Sequence, residues 1–215
     1  MNTDERRVLS GGRPGSVSRT PAEGAAKGHV CPWWVGWLLL LPLRRLFESP
    51  DRLLGPHVRP GMTVLEPGCA MGFFSLPLAR MVGPQGRVVC VDVQDAMVRR
   101  LRRRAEKAGL AGRIDSLVGA VGDERLDALR GAVDFAAAVH MVHEVTDRPL
   151  FFRRIAELLR PGARLLVLEP KGHVTAEALE RTVGEAVGAG LAELGRPLGT
   201  TARAVLLERP AGGGP

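Results

Sequence analysis

From Met62 onward, short apolar runs alternate with longer segments of helical periodicity, and this alternation is the strongest constraint on the fold. Such alternation is typical of βαβ units, in which parallel strands are joined by crossover helices. The first run, MTVLE, is continuously apolar up to its final acid, as expected of a strand buried on both faces of a sheet. The predicted strands are 62–66, 87–93, 113–120, 133–139 and 163–169. The predicted helices are 71–82, 94–110, 149–160 and 175–187.

The end of the chain has a different pattern. Residues 191–196 and 201–209 form two further strand-like runs, and only 197–200 separate them. Four residues cannot form a crossover helix, so these runs should pair as an antiparallel hairpin. The sequence therefore predicts an α/β fold with a doubly wound, mostly parallel, seven-stranded sheet and an antiparallel C-terminal hairpin.

The 215 residues divide into three predicted regions. Residues 1–28 are rich in Gly, Pro, Ser and charge, and we expect them to be disordered. Residues 29–57 form an apolar helical segment, predicted to be a lid or an interface, and 58–210 form the main domain. The apolar run 30–43 has 14 residues, whereas a spanning helix needs about 20, so we predict no membrane span. The run also lies too far from the start, behind too polar a leader, to be a signal peptide.

Charge and cysteine content narrow the functional classes. The net charge is +7, but the basic residues are spread between the tail and helix surfaces. Only 4% of residues are aromatic and none is tyrosine, so there is little surface for stacking bases, and a nucleic-acid partner is not favoured. Cys31, Cys69 and Cys90 form neither a disulfide framework nor a zinc motif, which indicates a reducing cytoplasm.

The stretch VLEPGCAMGFF (64–74) carries the first candidate site. It places Glu66 at the carboxyl end of the first strand, followed by Gly68 and Gly72 in the turn to the helix. Open α/β sheets bind ligands at this edge, and glycine lets the backbone approach a ligand. A tight turn without a ligand is the alternative interpretation.

A second acid lies at the end of the next strand. Asp92, followed by Val93, comes 20 positions after Gly72, where an acid in such folds accepts hydrogen bonds from ribose hydroxyls. Its alternative role is to cap the following helix. Together, Glu66, the glycine turn and Asp92 predict one nucleoside pocket.

On these motifs, residues 58–209 resemble the class I S-adenosylmethionine-dependent methyltransferases, in particular the small-molecule branch that includes ubiquinone and menaquinone biosynthesis enzymes. The first motif of that family resembles Glu66-Pro-Gly68-Cys-Ala70-Met-Gly72, with Ala70 in place of its middle glycine. The resemblance implies that S-adenosylmethionine is the cofactor and that Glu66 and the backbone of 68–72 hold its methionine part. It also implies that Asp92 holds the ribose and that Asp123 lies beside the adenine. The antiparallel hairpin agrees with the family.

The fourth strand is followed by HMVHEV (140–145), at the edge where an acceptor would meet the methyl group. His140 and His143 are the candidate catalytic bases because imidazole titrates near neutral pH. Their alternative role is purely structural, as polar residues that close a strand. We predict no metal site, since three ligands at a fixed spacing are not present. Glu169, Lys171 and His173 follow the fifth strand at the same edge and are open to the same two interpretations.

The acceptor is the least constrained prediction. Trp33, Trp34 and Trp37 precede a leucine run and Arg44-Arg45, which suits either a helix packed on the sheet or peripheral contact with a membrane. On the second interpretation the acceptor is small, apolar and lipid-like. Two alternative functions remain: a nicotinamide-dependent oxidoreductase, and a nonenzymatic basic module that binds RNA or a membrane. The sequence does not define an oligomeric state.

Overall fold

The computed structural model describes residues 49–197 and 202–212. These residues form one seven-stranded sheet with the order β3-β2-β1-β4-β5-β7-β6. The strands are β1 Thr63–Pro67, β2 Arg87–Asp92, β3 Ile114–Val118, β4 Val133–Val139, β5 Leu159–Glu169, β6 Ala192–Gly195 and β7 Arg203–Glu208. The predicted α/β fold class is confirmed.

Strands β1 to β5 are parallel to one another. Val64 and Leu65 of β1 lie beside Val88 and Val89 of β2 on one side, and β1 pairs with β4 on the other. The order reverses at β1, since β2 and β3 extend to one side of it and β4 and β5 to the other. In an open α/β sheet this switch point is where the loops that follow the strands diverge and leave a crevice.

The helices of this domain are short, and some of them begin at residues whose side chains cap the first turn. They are α1 Pro50–Leu54, α2 Ser75–Met81, α3 Asp95–Lys107, α4 Arg148–Leu158 and α5 Ala176–Gly188. Helix α2 begins four residues later than the predicted 71–82, because residues 71–74 are still part of the turn. Asp147 and Thr175 cap α4 and α5, since their side chains accept hydrogen bonds from the main-chain N–H groups of Leu150 and Ala178.

The last two strands form the predicted antiparallel hairpin, with residues 198–201 of the connection outside the described ranges. Strand β7 also pairs with β5 in antiparallel fashion, so it lies between β5 and β6. The hairpin therefore joins the sheet through its second strand.

Strand β5 corrects one sequence prediction. Pro161-Gly162 was expected to end a helix and precede a strand at 163, but both residues lie inside β5, which begins at Leu159. Val133 of β4 pairs with Leu159 and Phe135 pairs with Arg164, so the strand is irregular between these positions. The irregularity is stabilised at Gly162, where φ is +76° and the N–H donates to the Arg209 carbonyl over 2.7 Å.

Two apolar layers cover the sheet. Helices α4 and α5 pack on one face through side chains such as Phe152, Ile155 and Val183, whereas Leu54 of α1 and Leu78 of α2 pack on the other. The strands between them are buried on both faces, which explains the continuous apolar runs in their sequences.

Several sequence predictions lie outside the described residues. These are the predicted disordered tail 1–28, most of the apolar segment 29–57, and Trp33, Trp34 and Trp37. Of that segment, the structure describes residues 49–57, which contain α1.

Candidate active site

A cavity of about 710 Å³ opens at the carboxyl edge of the sheet, around the switch point at β1. Its walls come from the segments after β1, β2, β3, β4 and β5 and from the first turns of α4. Clefts of roughly 300 to 1,000 Å³ are typical of sites for small molecules. Of the residues predicted to form the site, those that line the cavity are Glu66, Gly68, Ala70, Asp92, Val93, His140 and His143.

The loop after β1 is held to β2 by its own backbone. The N–H groups of Gly68 and Cys69 both donate to the Val91 carbonyl, over 2.7 and 3.2 Å, and the Gly72 N–H donates to the Cys69 carbonyl over 2.9 Å. The glycine turn expected at this edge is present, and internal hydrogen bonds already engage these three N–H groups. The loop is therefore shaped before any ligand binds.

Both glycines of the motif have positive φ, +69° at Gly68 and +81° at Gly72. A Cβ at Gly68 would lie 2.8 Å from Cβ and Cγ of Met141, and one at Gly72 would lie 2.4 Å from Cδ1 of Leu101. Gly72 does not line the cavity. A glycine is required at this position because the loop packs closely against α3. At Gly68 too, the added side chain would be obstructed by a neighbouring residue of the protein, Met141.

Ala70 also has positive φ, +46°, although it carries a side chain. L-residues other than Asn and Asp rarely adopt this region, and it costs roughly 1 to 2 kcal/mol. The Ala70 N–H donates to Oδ2 of Asp92 over 2.9 Å. This bond joins the loop after β1 to the acid at the end of β2.

Glu66 is almost completely buried beneath the loop, with 3% of its surface exposed. The thiol of Cys90, beside it on β2, lies 3.6 Å from Oε2 of Glu66 and donates to it. Burial raises the pKa of the Glu66 carboxyl to about 7. Near neutral pH this carboxyl can therefore exchange its proton when a cation approaches.

Asp92 uses one oxygen for each of two main-chain donors. Oδ2 accepts from Ala70 and Oδ1 accepts from the N–H of Gln94 over 2.8 Å. Burial raises its pKa, an effect that these two hydrogen bonds oppose. Because each carboxylate oxygen has two lone pairs, acceptor capacity remains for ligand hydroxyls. The capping role and the binding role considered from the sequence are thus compatible.

Asp123 does not line the cavity. Both of its oxygens bond to the Arg125 guanidinium, at 2.8 and 2.6 Å, and one also accepts the Arg125 N–H, which caps a short 3₁₀-helix. This pairing lowers the pKa of Asp123 to about 2. The segment 119–122 forms the cavity wall after β3. The structure therefore does not support the adenine contact that the resemblance implied for Asp123.

At the other end of the cavity, His140 follows β4 with a positive φ of +58°. Its main-chain N–H donates to the Leu168 carbonyl of β5 over 2.7 Å. This bond fixes the backbone of His140 at the edge of the sheet. The chain turns there and continues into the 3₁₀-helix Val142–Glu144, which carries His143.

His143 is bound by Glu169, for which the sequence left a catalytic and a structural role open at the same edge. The carboxylate accepts the His143 main-chain N–H at 3.0 Å and lies 2.6 Å from Nδ1 of the ring. This hydrogen bond is the main cause of the raised pKa of His143. Glu169 is 2% exposed and does not line the cavity, whereas His143 does.

Two further contacts were not predicted from the sequence. The Arg104 guanidinium on α3 donates to the Met71 carbonyl and so holds the loop after β1 from outside. Arg154 lines the cavity, but its terminal nitrogens are paired with Asp127 at 2.6 Å and Glu157 at 2.7 Å. In the sequence, only the many arginines of the helices pointed to such contacts. An excess of arginine does not show which carbonyl or carboxylate each side chain will bind.

In residues 49–197 and 202–212 there is no group of three or more His, Cys, Asp or Glu side chains that could hold a metal ion. Over the same ranges, none of the helices is both long and apolar enough to cross a bilayer.

Comparison with known proteins identifies the domain. Residues 64–162, which run from β1 through the start of β5, match a methyltransferase domain family. Residues 64–162 therefore form a methyltransferase domain, and the chain resembles the class I S-adenosylmethionine-dependent methyltransferases. The matched region includes Glu66, Asp92, the glycine loop, His140 and His143.

Two curated relatives agree with this methyltransferase domain over part of their length. The ubiquinone/menaquinone biosynthesis C-methyltransferase UbiE of Enterobacter sp. (strain 638) is 33% identical over 112 residues, covering 52% of this chain and 44% of the relative. Nocamycin O-methyltransferase of Saccharothrix syringae is 35% identical over 127 residues, covering 59% and 42%. The chain therefore spans less than half the length of either relative.

A solved structure extends the similarity to most of the fold. The crystal structure of an S-adenosylmethionine-dependent methyltransferase from Aquifex aeolicus superposes on this methyltransferase domain with a TM-score of 0.74 and 24% identity. The superposition covers 83% of this chain and 98% of the other. It confirms the mixed sheet with antiparallel final strands.

Proposed function

We propose that this protein transfers the methyl group of S-adenosylmethionine to a small, largely apolar acceptor in the 710 Å³ cavity. The observation that carries the proposal is the junction of Ala70 and Asp92, which brings the glycine loop and the acid of β2 together at the cavity. When bound, S-adenosylmethionine supplies an electrophilic methyl group on a sulfonium.

Glu66 and Asp92 are the proposed donor-binding acids. Glu66 is buried under the loop and would be ionised by the ammonium group of the donor, since a nearby cation favours the charged carboxylate. Asp92 retains lone pairs for the ribose hydroxyls. Both acids line the cavity, so its charge suits a cationic ligand.

For the adenine we propose the apolar side chains of Val93, Met97 and Val121 together with the backbone of 119–122, all of which line the cavity. Val93 is 59% exposed, a high value for valine, and a bound base would cover it. This assignment replaces Asp123, whose carboxylate is held by Arg125.

Catalysis in this cavity can rest mainly on positioning and exclusion of water, because methyl transfer from a sulfonium needs an in-line nucleophile. His143 and His140, the two catalytic candidates from the sequence, both line the cavity. We assign the proton-accepting role to His143, which has a carboxylate partner, and assign to His140 the shaping of the turn.

Apolar side chains support the proposed acceptor class. Phe73, Met141, Leu150 and Phe151 line the cavity, and Leu150 is 44% exposed. The names of the two relatives specify a carbon acceptor in one protein and an oxygen acceptor in the other, so the methylated atom is not assigned.

Calorimetry of the full chain with S-adenosylhomocysteine, and separately with NAD, tests the proposal. We expect S-adenosylhomocysteine to bind and Asp92→Ala to weaken it by about 1 to 3 kcal/mol, the cost of losing a buried acceptor. Asp95→Ala is the matched control, since Asp95 is exposed and pairs with Arg99 at the surface. Binding of NAD alone would contradict the proposal, as would equal affinities of wild type and Asp92→Ala.

We also propose that Trp33, Trp34 and Trp37, which lie outside the described residues, deliver an apolar acceptor from a membrane surface. Co-sedimentation with liposomes should be lost when the three are changed to Ala, while S-adenosylhomocysteine binding persists. A full chain that does not co-sediment would exclude this delivery.

A further inference from the structure

Glu169 is a buried carboxylate outside the cavity wall. It ends β5, next to β4, and only 2% of its surface is exposed. It contacts the ring of His143, which lines the cavity and is 23% exposed. Glu169 therefore cannot act on a ligand directly, but it can determine how His143 does.

The two side chains are joined at two points. One oxygen of Glu169 accepts the main-chain N–H of His143 over 3.0 Å, and the other lies 2.6 Å from Nδ1. A nitrogen–oxygen distance this short is typical of hydrogen bonds to a charged group. Because an ionised carboxylate only accepts, Nδ1 carries the proton, and in the neutral ring Nε2 keeps its lone pair.

We propose that Glu169 is a positioning residue that makes His143 the general base of the reaction, so that the acceptor enters with a dissociable proton on a hydroxyl or a conjugated enol. This inference rests on the proposed methyl transfer. The acceptor's proton passes to Nε2 of His143, the acceptor's electron pair forms the new bond to the methyl carbon, and the carbon–sulfur bond breaks to leave S-adenosylhomocysteine.

The surroundings of His143 agree with this role. Besides Glu169, the ring faces Oε1 of Glu144, 3.9 Å from Nε2, and the ring of His173, edge to face with centroids 5.5 Å apart. Both carboxylates favour the imidazolium that forms when the proton arrives, and they raise the pKa of His143 together, with Glu169 the larger cause. An imidazole in this state is a stronger base than a free histidine and is neutral only toward the alkaline side of its raised pKa.

Nitrogen-15 NMR of the full chain, labelled at its five histidines and saturated with S-adenosylhomocysteine, tests the inference without an acceptor. His143→Asn identifies the resonance. In wild type we expect a proton on Nδ1 in the neutral ring and a titration above the ordinary value of about 6.5. Glu169→Gln, which keeps the shape and removes the charge, should lower the titration midpoint by about one pH unit.

Glu144→Gln is the control, because Glu144 is more exposed and lies farther from the ring, and it should shift the midpoint less. A proton on Nε2 in wild type would overturn the inference, as would an unchanged midpoint in Glu169→Gln. Failure of the wild-type chain to bind S-adenosylhomocysteine in the same tube would instead contradict the proposed methyl transfer, so the two failures are distinguishable.

Discussion

The two ends of the cavity are held in different ways. At the donor end, main-chain N–H groups fix both the loop after β1 and the carboxylate of Asp92. At the acceptor end, the ring of His143 is fixed by a side chain 26 positions away. The donor end therefore depends on backbone shape, and the acceptor end depends on charge pairing. Substitutions should accordingly act through sterics and φ at the first and through titration at the second.

The largest effect should come from Gly68→Ala. Positive φ costs an L-residue roughly 1 to 2 kcal/mol and overpacking costs 1 to 3 more, so we expect a loss of about 3 kcal/mol in unfolding free energy. Gly109→Ala is the matched control, because Gly109 has φ +67°, close to the +69° of Gly68, and has open space around its Cβ position. Urea unfolding measures both.

The same experiment separates shape from conformation. Adding Met141→Ala to Gly68→Ala removes Cγ of Met141 but keeps its Cβ, which also lies 2.8 Å from the added methyl group, so it should recover only part of the overpacking loss. If Gly68→Ala costs no more than Gly109→Ala, close packing does not hold the donor end, and the contrast between the two ends weakens.

This contrast explains what the sequence could predict. The succession of strands and helices along the chain, the hairpin and the acids at the ends of β1 and β2 follow from chain-local patterns of apolar residues, glycine and length. The reason Gly72 must be glycine was not predictable, because it depends on Leu101 of α3 across the turn. Local patterns also mislead where tertiary pairing prevails: Pro161-Gly162 resembles a stop signal, yet pairing with β4 and the Arg209 backbone keeps both residues in β5.

Side-chain partners between distant segments were the least predictable part of the site. Glu169 and His143 were both placed at the correct edge, but nothing in their spacing indicates a contact. Asp123 shows the same limit, since its position in the sequence does not reveal that Arg125, two residues away, binds its carboxylate or that the side chain does not line the cavity. The sequence shows that Arg125 is near Asp123 along the chain, but only the structure shows that the two side chains are paired.

The second effect tests whether charge also matters at the donor end. Glu66 has a pKa of about 7 in the folded chain against an ordinary 4.5, so the folded state holds a proton that the unfolded state releases between these values. Stability of the ligand-free protein should therefore fall as pH rises from about 5 to 8, by at most about 3 kcal/mol from this group.

Glu66→Gln should remove that component. Urea unfolding at pH 5.5 and pH 8 gives the change in unfolding free energy between the two pH values. The difference in this change between wild type and Glu66→Gln measures the component. An identical pH dependence in both proteins would mean that burial does not destabilise the charged form of Glu66, and this acid would then not make the donor end sensitive to charge.

The smallest effect should be a gain. Ala70 has φ +46°, so Ala70→Gly relieves backbone strain and should stabilise the ligand-free fold by up to about 1 kcal/mol, less the entropy cost of the added freedom. Thermal unfolding measures it, and the Asp92 bond to the N–H at position 70 should persist. A destabilised Ala70→Gly protein would show that the methyl group contributes packing that outweighs the strain.

The position of β7 has a consequence for how the chain is made. During synthesis β5 and β6 leave the ribosome before residues 203–208, yet β7 is the strand that pairs with both of them. Until it arrives, β5 has an open edge and β6 has no partner strand in the sheet, and unpaired edges are the surfaces on which nascent chains aggregate. A translation product that stops before Arg203 would therefore retain the whole cavity wall and still be unable to complete its sheet.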